Sequence, residues 1–291
     1  MSYRWVAPLP LIVTLISAGF TQNPQAHIST IPEIQEDFQN VPCRPKDRPS
    51  GVQALFEKMG APADSLSVEK FQGVENLVLR RDSGSQETIV IGAHYDYAER
   101  GCGAVDNWTG IVTLAHLYRT ISMLPVHKTV LFVAFGNEER GLLGSNAMVR
   151  TIPKQNIPNY CAMINVDSFG LARPFAMENS SSTGLLAQAR KIAGELKLPF
   201  DGVPIPGADA DSSSFKAAGI PAITLSGVSN DWRMILHTSN DQASKVIPSG
   251  VYLGYRMALS LWNSVDAAPC EAFRADDTEV WNSHVESLLT D

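Results

Sequence analysis

No repeat of roughly 20 to 50 residues and no low-complexity tract occurs in this 291-residue sequence, which excludes solenoid, propeller and collagen-like architectures. Basic residues are in short supply. The 23 Lys and Arg face 30 Asp and Glu, a formal net charge of −7, so no global attraction draws the chain to a phosphate backbone and nucleic acid is excluded as a default partner. None of the four cysteines forms a Cys-x-x-Cys pair, which argues against a redox motif and a cysteine zinc site. No apolar stretch, the N-terminal one included, reaches the roughly 20 residues a spanning helix needs. What is present suffices for a full core: 44% of the residues are hydrophobic and 18% charged.

Met1 to Arg4 carries one positive charge, and Trp5 to Phe20 is mostly apolar, interrupted by Pro8 and Pro10 and closing on Ser17, Ala18 and Gly19. That layout reads residues 1–21 as a secretory signal peptide or, if uncleaved, an N-terminal anchor; the remainder is expected to be secreted or periplasmic, with no stable membrane association after cleavage. In an oxidising compartment four cysteines permit two disulfides, in three pairings. Cys43 and Cys270 flank the region that reads as folded and Cys102 and Cys161 lie inside it, which favours Cys43 with Cys270 and Cys102 with Cys161; buried free thiols are the alternative.

Residues 22–50 are polar, contain five prolines, and read as a linker with a short helix around Pro32 to Asn40. Core structure is expected from Gly51, in a catalytic domain over residues 51–266 followed by an acidic tail over 267–291. Strand-like runs (Asn76 to Arg81, Thr88 to Ala93, Thr129 to Phe135, Cys161 to Val166, Pro221 to Leu225) alternate with helix-like ones (Thr109 to Ser122, Leu142 to Val149, Ala187 to Leu196, Ser213 to Ala218, Pro248 to Trp262). Continuous apolar strands separated by helices indicate a sheet buried on both faces. The expected fold is an α/β three-layer sandwich with a mixed, largely parallel central sheet, and in such folds ligands sit beyond the carboxyl ends of the strands.

The residues at those strand exits agree with one another. Thr88 to Ala93 runs into His94-Tyr95-Asp96, Thr129 to Phe135 into Gly136-Asn137-Glu138-Glu139, and Cys161 to Val166 into Asp167; Asp106 opens the helix after the first, and His237 precedes the last helix. Imidazoles and carboxylates without thiolates suit a catalytic zinc. Five candidate ligands, His94, Asp106, Glu139, Asp167 and His237, exceed what one tetrahedral ion holding water can use, so two ions sharing Asp106, about 3.5 to 4 Å apart, fit the count. Residues two apart in a strand share a side, so Asp96 is expected to accept a hydrogen bond from the far nitrogen of His94. Of the adjacent glutamates, Glu139 is assigned as ligand and Glu138 as the general base. Singly, each residue has an ordinary explanation, such as Asp106 capping the next helix; the case rests on their coincidence.

In order, the segments GAHYD, VDNWTG, GNEERGLLGS, NVDSFG, ADSSSFKAAGIPAITL and HTSNDQASKV resemble the co-catalytic zinc aminopeptidases, a group that includes secreted bacterial leucyl-type aminopeptidases and has glutamate carboxypeptidases and glutaminyl cyclases as relatives. The resemblance covers about residues 75–262. It implies two zinc ions per chain, peptide substrates with a free N-terminus, and the same roles for His94, Asp106, Glu138, Glu139, Asp167 and His237. One departure stands out: the usual Ser-Asp-His-x-x-Phe motif reads Ala210-Asp211-Ser212-Ser213-Ser214-Phe215, keeping Asp211, expected near the site behind the ligands, and losing the histidine. The alternatives on the same fold are a single-zinc glutaminyl-cyclase-like acyltransferase, a carboxypeptidase and a non-catalytic binding domain.

Overall fold

The computed structural model describes residues 26–274 apart from positions 72 and 99, so the expected signal segment 1–21 and the tail beyond 274 lie outside the described residues. Eight strands among them form one sheet: β1 (Ser67–Phe71), β2 (Val74–Arg81), β3 (Thr88–His94), β4 (Thr129–Phe135), β5 (Tyr160–Asp167), β6 (Phe175–Met177), β7 (Gly202–Val203) and β8 (Ala222–Ser226). The helices are α1 (Ile31–Gln39), α2 (Arg48–Lys58), α3 (Thr109–Ser122), α4 (Leu143–Thr151), α5 (Thr183–Glu195), α6 (Ser212–Ala217) and α7 (Pro248–Ala267).

The order across the sheet is β1-β2-β4-β3-β5-β8-β6-β7, with a parallel centre β4-β3-β5-β8 and antiparallel pairings β1-β2, β2-β4 and β8-β6. Side-chain alternation divides the strands between two cores. Ile89, Ile91, Phe132 and Ile164 face the larger core, with α1, α2, α3, α5 and α7, whereas Val90, Leu131, Val133 and Met163 face the smaller, with Met148 of α4 and Phe215 of α6. Burial on both faces explains the unbroken apolar runs of the central strands, and the layers are α/β/α as expected.

From β3 the chain passes through α3 to β4, and from β4 through α4, on the opposite face, to β5 on the far side of β3. Strand order therefore reverses about β3, which opens a crevice at the carboxyl ends of β3, β4 and β5. The site lies there.

Two expectations are corrected. The core begins before Gly51: Ile34 and Phe38 of α1 are buried, and Arg48 is fully buried. The disulfides pair Cys43 with Cys102 and Cys161 with Cys270, each with Cα atoms 4.5 Å apart. Flanking position in the sequence misleads because the segment before α2 folds back onto the turn at Cys102, while the chain leaving α7 returns to the start of β5 at Cys161. No helix among the described residues is long and apolar enough to cross a membrane.

Candidate metal centre

Each candidate ligand is delivered by a different strand exit or turn. His94 is the last residue of β3 and is 1% exposed. After β4, Asn137 takes a left-handed conformation and turns the chain into the short helix Glu138–Arg140. Asp167 ends β5, and Ser168 after it is also left-handed. Asp106 belongs to the turn Ala104–Trp108 ahead of α3, and His237, itself at φ 59, stands in the loop before α7. Left-handed non-glycine residues cost about 1–2 kcal/mol, and four of them, Asn137, Leu142, Ser168 and His237, border one crevice.

There the side chains meet. His94 Nε2 lies 3.1 Å from Asp106 Oδ1, 3.6 Å from Asp167 and 4.0 Å from Glu138. His237 Nε2 lies 3.0 Å from Asp106 Oδ2 and 3.1 Å from Glu139 Oε2. Asp106 thus offers one oxygen to each imidazole. The donor atoms form two close groups, His94 with Glu138 and Asp167, and Asp106 with Glu139 and His237. Ligands at 2.0–2.1 Å from a tetrahedral zinc sit about 3.3 Å from each other, so these separations and this nitrogen–oxygen donor set suit two ions flanking Asp106.

The electrostatics describe a site short of positive charge. Burial alone would lower the pKa of His94, but Glu138, Asp106 and Asp167 around it hold it well above the usual imidazole value. His237 is pushed up to about 10 by the hydrogen bonds it donates to the Asp106 and Glu139 carboxylates. Glu138 is driven well above the ordinary carboxyl range by burial and by Asp211, Asp167 and Asp106, against the pull of His94. Asp211 is raised to about 7 by burial, and neither of its oxygens has a hydrogen-bond partner.

Asp96 behaves differently from expectation. His94 Nδ1 meets the Asp96 carbonyl oxygen at 3.2 Å, with the carboxylate 3.7 Å away. The carboxylate instead accepts the backbone N–H groups of Glu138 at 3.0 Å and Glu139 at 3.2 Å. β3 ends at His94, so strand alternation no longer governs where Asp96 points.

Three further residues, to which the sequence assigns no part in the site, hold the turns. Asp241, 1% exposed, accepts the N–H groups of Val105 at 2.7 Å and Asp106 at 3.2 Å, and its carbonyl accepts that of Cys102 at 2.8 Å. Asn107, fully buried, accepts the N–H groups of Gly110 and Ser168 and donates to the Val166 carbonyl, joining the Asp106 turn to the Asp167 strand end. Arg48 donates to the carbonyls of Cys102 and Gly103 and lies over the rings of Tyr97 and Trp108. Asp241 follows His237 by four residues in the segment HTSNDQ, and neither it nor Arg48, in a proline-rich stretch, carries a sequence signal of this role.

A pocket of about 540 Å³ opens over the centre. Its lining includes the apolar residues Met177, Ile205, Val228, Trp232 and Leu236, together with Gly141, Leu142 and Asn146 from the start of α4 and the turn before it.

Comparison with known proteins agrees with this architecture. Aminopeptidase YwaD of Bacillus subtilis is 29% identical over 140 residues, 46% of this chain and 30% of that protein. The matched region is thus less than a third of that curated relative's length. The LapA aminopeptidase of Legionella pneumophila has a TM-score of 0.67 at 20% identity, covering 84% of this chain and 77% of that one. A glutaminyl cyclase of Porphyromonas gingivalis has a TM-score of 0.60 at 18% identity, covering 80% and 95%. At these identities the structural likeness speaks for the fold. The model of Peptidase family M28 matches residues 76–258, well over half of the sequence, and the chain belongs to that family.

Proposed function

We propose that the protein is an exported metallo-aminopeptidase that holds two zinc ions and removes the N-terminal residue from peptides. The observation that carries this reading is Asp106, with one oxygen 3.1 Å from His94 and the other 3.0 Å from His237. His94 and Asp167 would hold one ion, Glu139 and His237 the other, and Asp106 both. Zinc, when bound, supplies Lewis acidity toward the scissile carbonyl and lowers the pKa of water in the site.

Glu138 stands beside this set as the general base. It takes a proton from the attacking water and returns it to the leaving nitrogen. Asp96 fixes the backbone of Glu138 and Glu139 from behind. The apolar lining of Met177, Ile205, Val228, Trp232 and Leu236 receives the side chain of the N-terminal residue, and the acidic surroundings favour a cationic free amine. Export is supported by the two disulfides and by the layout of residues 1–21. A single ion could occupy only one of the two donor groups, and would leave either His94 with Asp167 or Glu139 with His237 without an ion.

Glu138→Gln tests the assignment: the variant is expected to keep its zinc content by elemental analysis while hydrolysis of leucyl anilide falls by at least about a hundredfold. Full turnover in that variant would refute the base assignment. Loss of zinc together with activity would make Glu138 a ligand instead.

A further inference from the structure

We infer that the groove between α4 and the β1–β2 hairpin is the subsite for the departing part of the substrate, and that Arg150 there recognises the free C-terminal carboxylate of short peptides. The inference rests on the aminopeptidase reading above. A second pocket, about 680 Å³, is lined from the hairpin by Lys70 and Phe71 and from α4 by Leu143, Asn146 and Arg150. Gly141 and Asn146 line this pocket and the one over the metal centre alike, so the two adjoin each other.

Direction follows from the sheet order. With the N-terminal side chain among the apolar residues that include Met177 of β6, the chain beyond the scissile bond leaves toward the β4 side of the sheet, where Gly141 and Asn146 line both pockets. From there the helix supplies the track. Leu143, Asn146 and Arg150 are spaced by three and four residues and form one stripe, and Leu143 to Arg150 covers about 10 Å at 1.5 Å per residue. An extended peptide advances about 3.3 Å per residue, so the stripe from Leu143 to Arg150 is about three substrate residues long.

The charge is complementary. Lys70 is paired with Glu75 at 2.8 Å, but Arg150 is exposed and has no ion pair among the described residues. It is therefore an unneutralised cation at the end of the groove in a chain whose net charge is −7. Leu143, 41% exposed, offers an apolar contact on the way. Tetrapeptides with a free terminus are the favoured class.

The experiment compares leucyl-trialanine as the free acid with its C-terminal amide, using leucyl anilide to report the underlying activity. The zinc-loaded protein should hydrolyse the acid with a kcat/KM about fivefold above the amide, chiefly through KM, and the ratio should shrink as salt is added. In Arg150→Ala the acid-to-amide ratio should fall to about one, and Arg150→Lys should restore part of it; the ratio within one variant is insensitive to any general loss of activity. Binding of the two peptides to Glu138→Gln by calorimetry gives the same comparison without turnover. Equal handling of acid and amide by the unaltered protein, or a ratio that survives in Arg150→Ala, overturns the inference. Failure to cleave leucyl anilide with zinc supplied would instead strike the aminopeptidase reading, and the calorimetric comparison would still decide the role of Arg150.

Discussion

Asp211 carries an unusual burden. Its carboxyl is wholly buried, neither oxygen is hydrogen-bonded, and it sits close enough to Glu138 to raise that group's pKa. An unpaired charge in such a place is costly, which is why burial lifts Asp211 to about 7. In the resembled motif the next residue is histidine; here it is Ser212, whose hydroxyl lies 2.6 Å from that of Thr224 and donates to the Ser180 carbonyl, so the positive charge acting on Asp211 is that of His94. Asp211→Asn removes a negative charge that holds Glu138 up, so the acid limb of the kcat/KM profile should move to lower pH. An unmoved limb would make Asp211 a packing residue only. The six residues that converge on the centre are legible because each stands at a strand exit or in a connection that follows one, where side chains have few structural duties. Asp96 was misread because pleating was extended one step past the end of β3, and Asp241 was passed over because nothing in a lone aspartate announces that its partners are backbone amides 135 residues away.

The working unit one level up is a set of turns tied to each other. Asp241 binds the loop of His237 to the turn of Asp106, and Asn107 binds that turn to the end of β5. Gly110 permits this, since a Cβ there would run into the Asn107 side chain and the Val166 carbonyl. Asp241→Asn places an amide group where an oxygen now accepts an N–H, so zinc affinity should fall about 10- to 100-fold in a chelator competition with the circular dichroism spectrum kept; unchanged affinity would remove Asp241 from the account. The long central strands and α3 are readable in the sequence because two-sided burial demands uninterrupted apolar runs. By contrast β6 and β7, with three and two residues, are too short to show a period, and α2 begins at Arg48-Pro49 and contains Gly51, residues that suggest a loop.

Across the whole molecule, pH couples the metal centre to stability. Asp241 is raised by burial to about 6, Asp211 to about 7 and His237 to about 10. A group whose pKa is higher folded than unfolded binds more protons in the native state, so stability falls as pH rises through that interval. In metal-free protein these three act together between about pH 4 and pH 10. Glu33, held down to about 2 by Thr30 and Arg119 against the effect of burial, works in the other sense and its contribution is lost as pH drops below the usual carboxyl value. The chelated protein should therefore melt progressively lower from pH 5 to pH 9, and zinc should restore most at the alkaline end; a flat or rising melting temperature in calorimetry contradicts this. The disulfides bear on the same balance. Loops of 59 and 109 residues correspond to about 4 to 5 kcal/mol each in the chain-entropy account. Replacing Cys161 and Cys270 by alanine should cost up to that amount in denaturant unfolding and leave zinc binding intact, whereas replacing Cys43 and Cys102 should weaken zinc binding too, because Cys102 leads into the Asp106 turn; equal effects on the metal would sever that link. The pairing itself was not legible, since it depends on how the two chain ends fold back over the sheet.

The account depends above all on two ions sharing Asp106. Anomalous diffraction at the zinc edge from crystals of the zinc-loaded protein measures this directly. Two peaks about 3.5 to 4 Å apart on either side of the Asp106 carboxylate are expected, and a single peak, or peaks away from His94 and His237, would contradict the account.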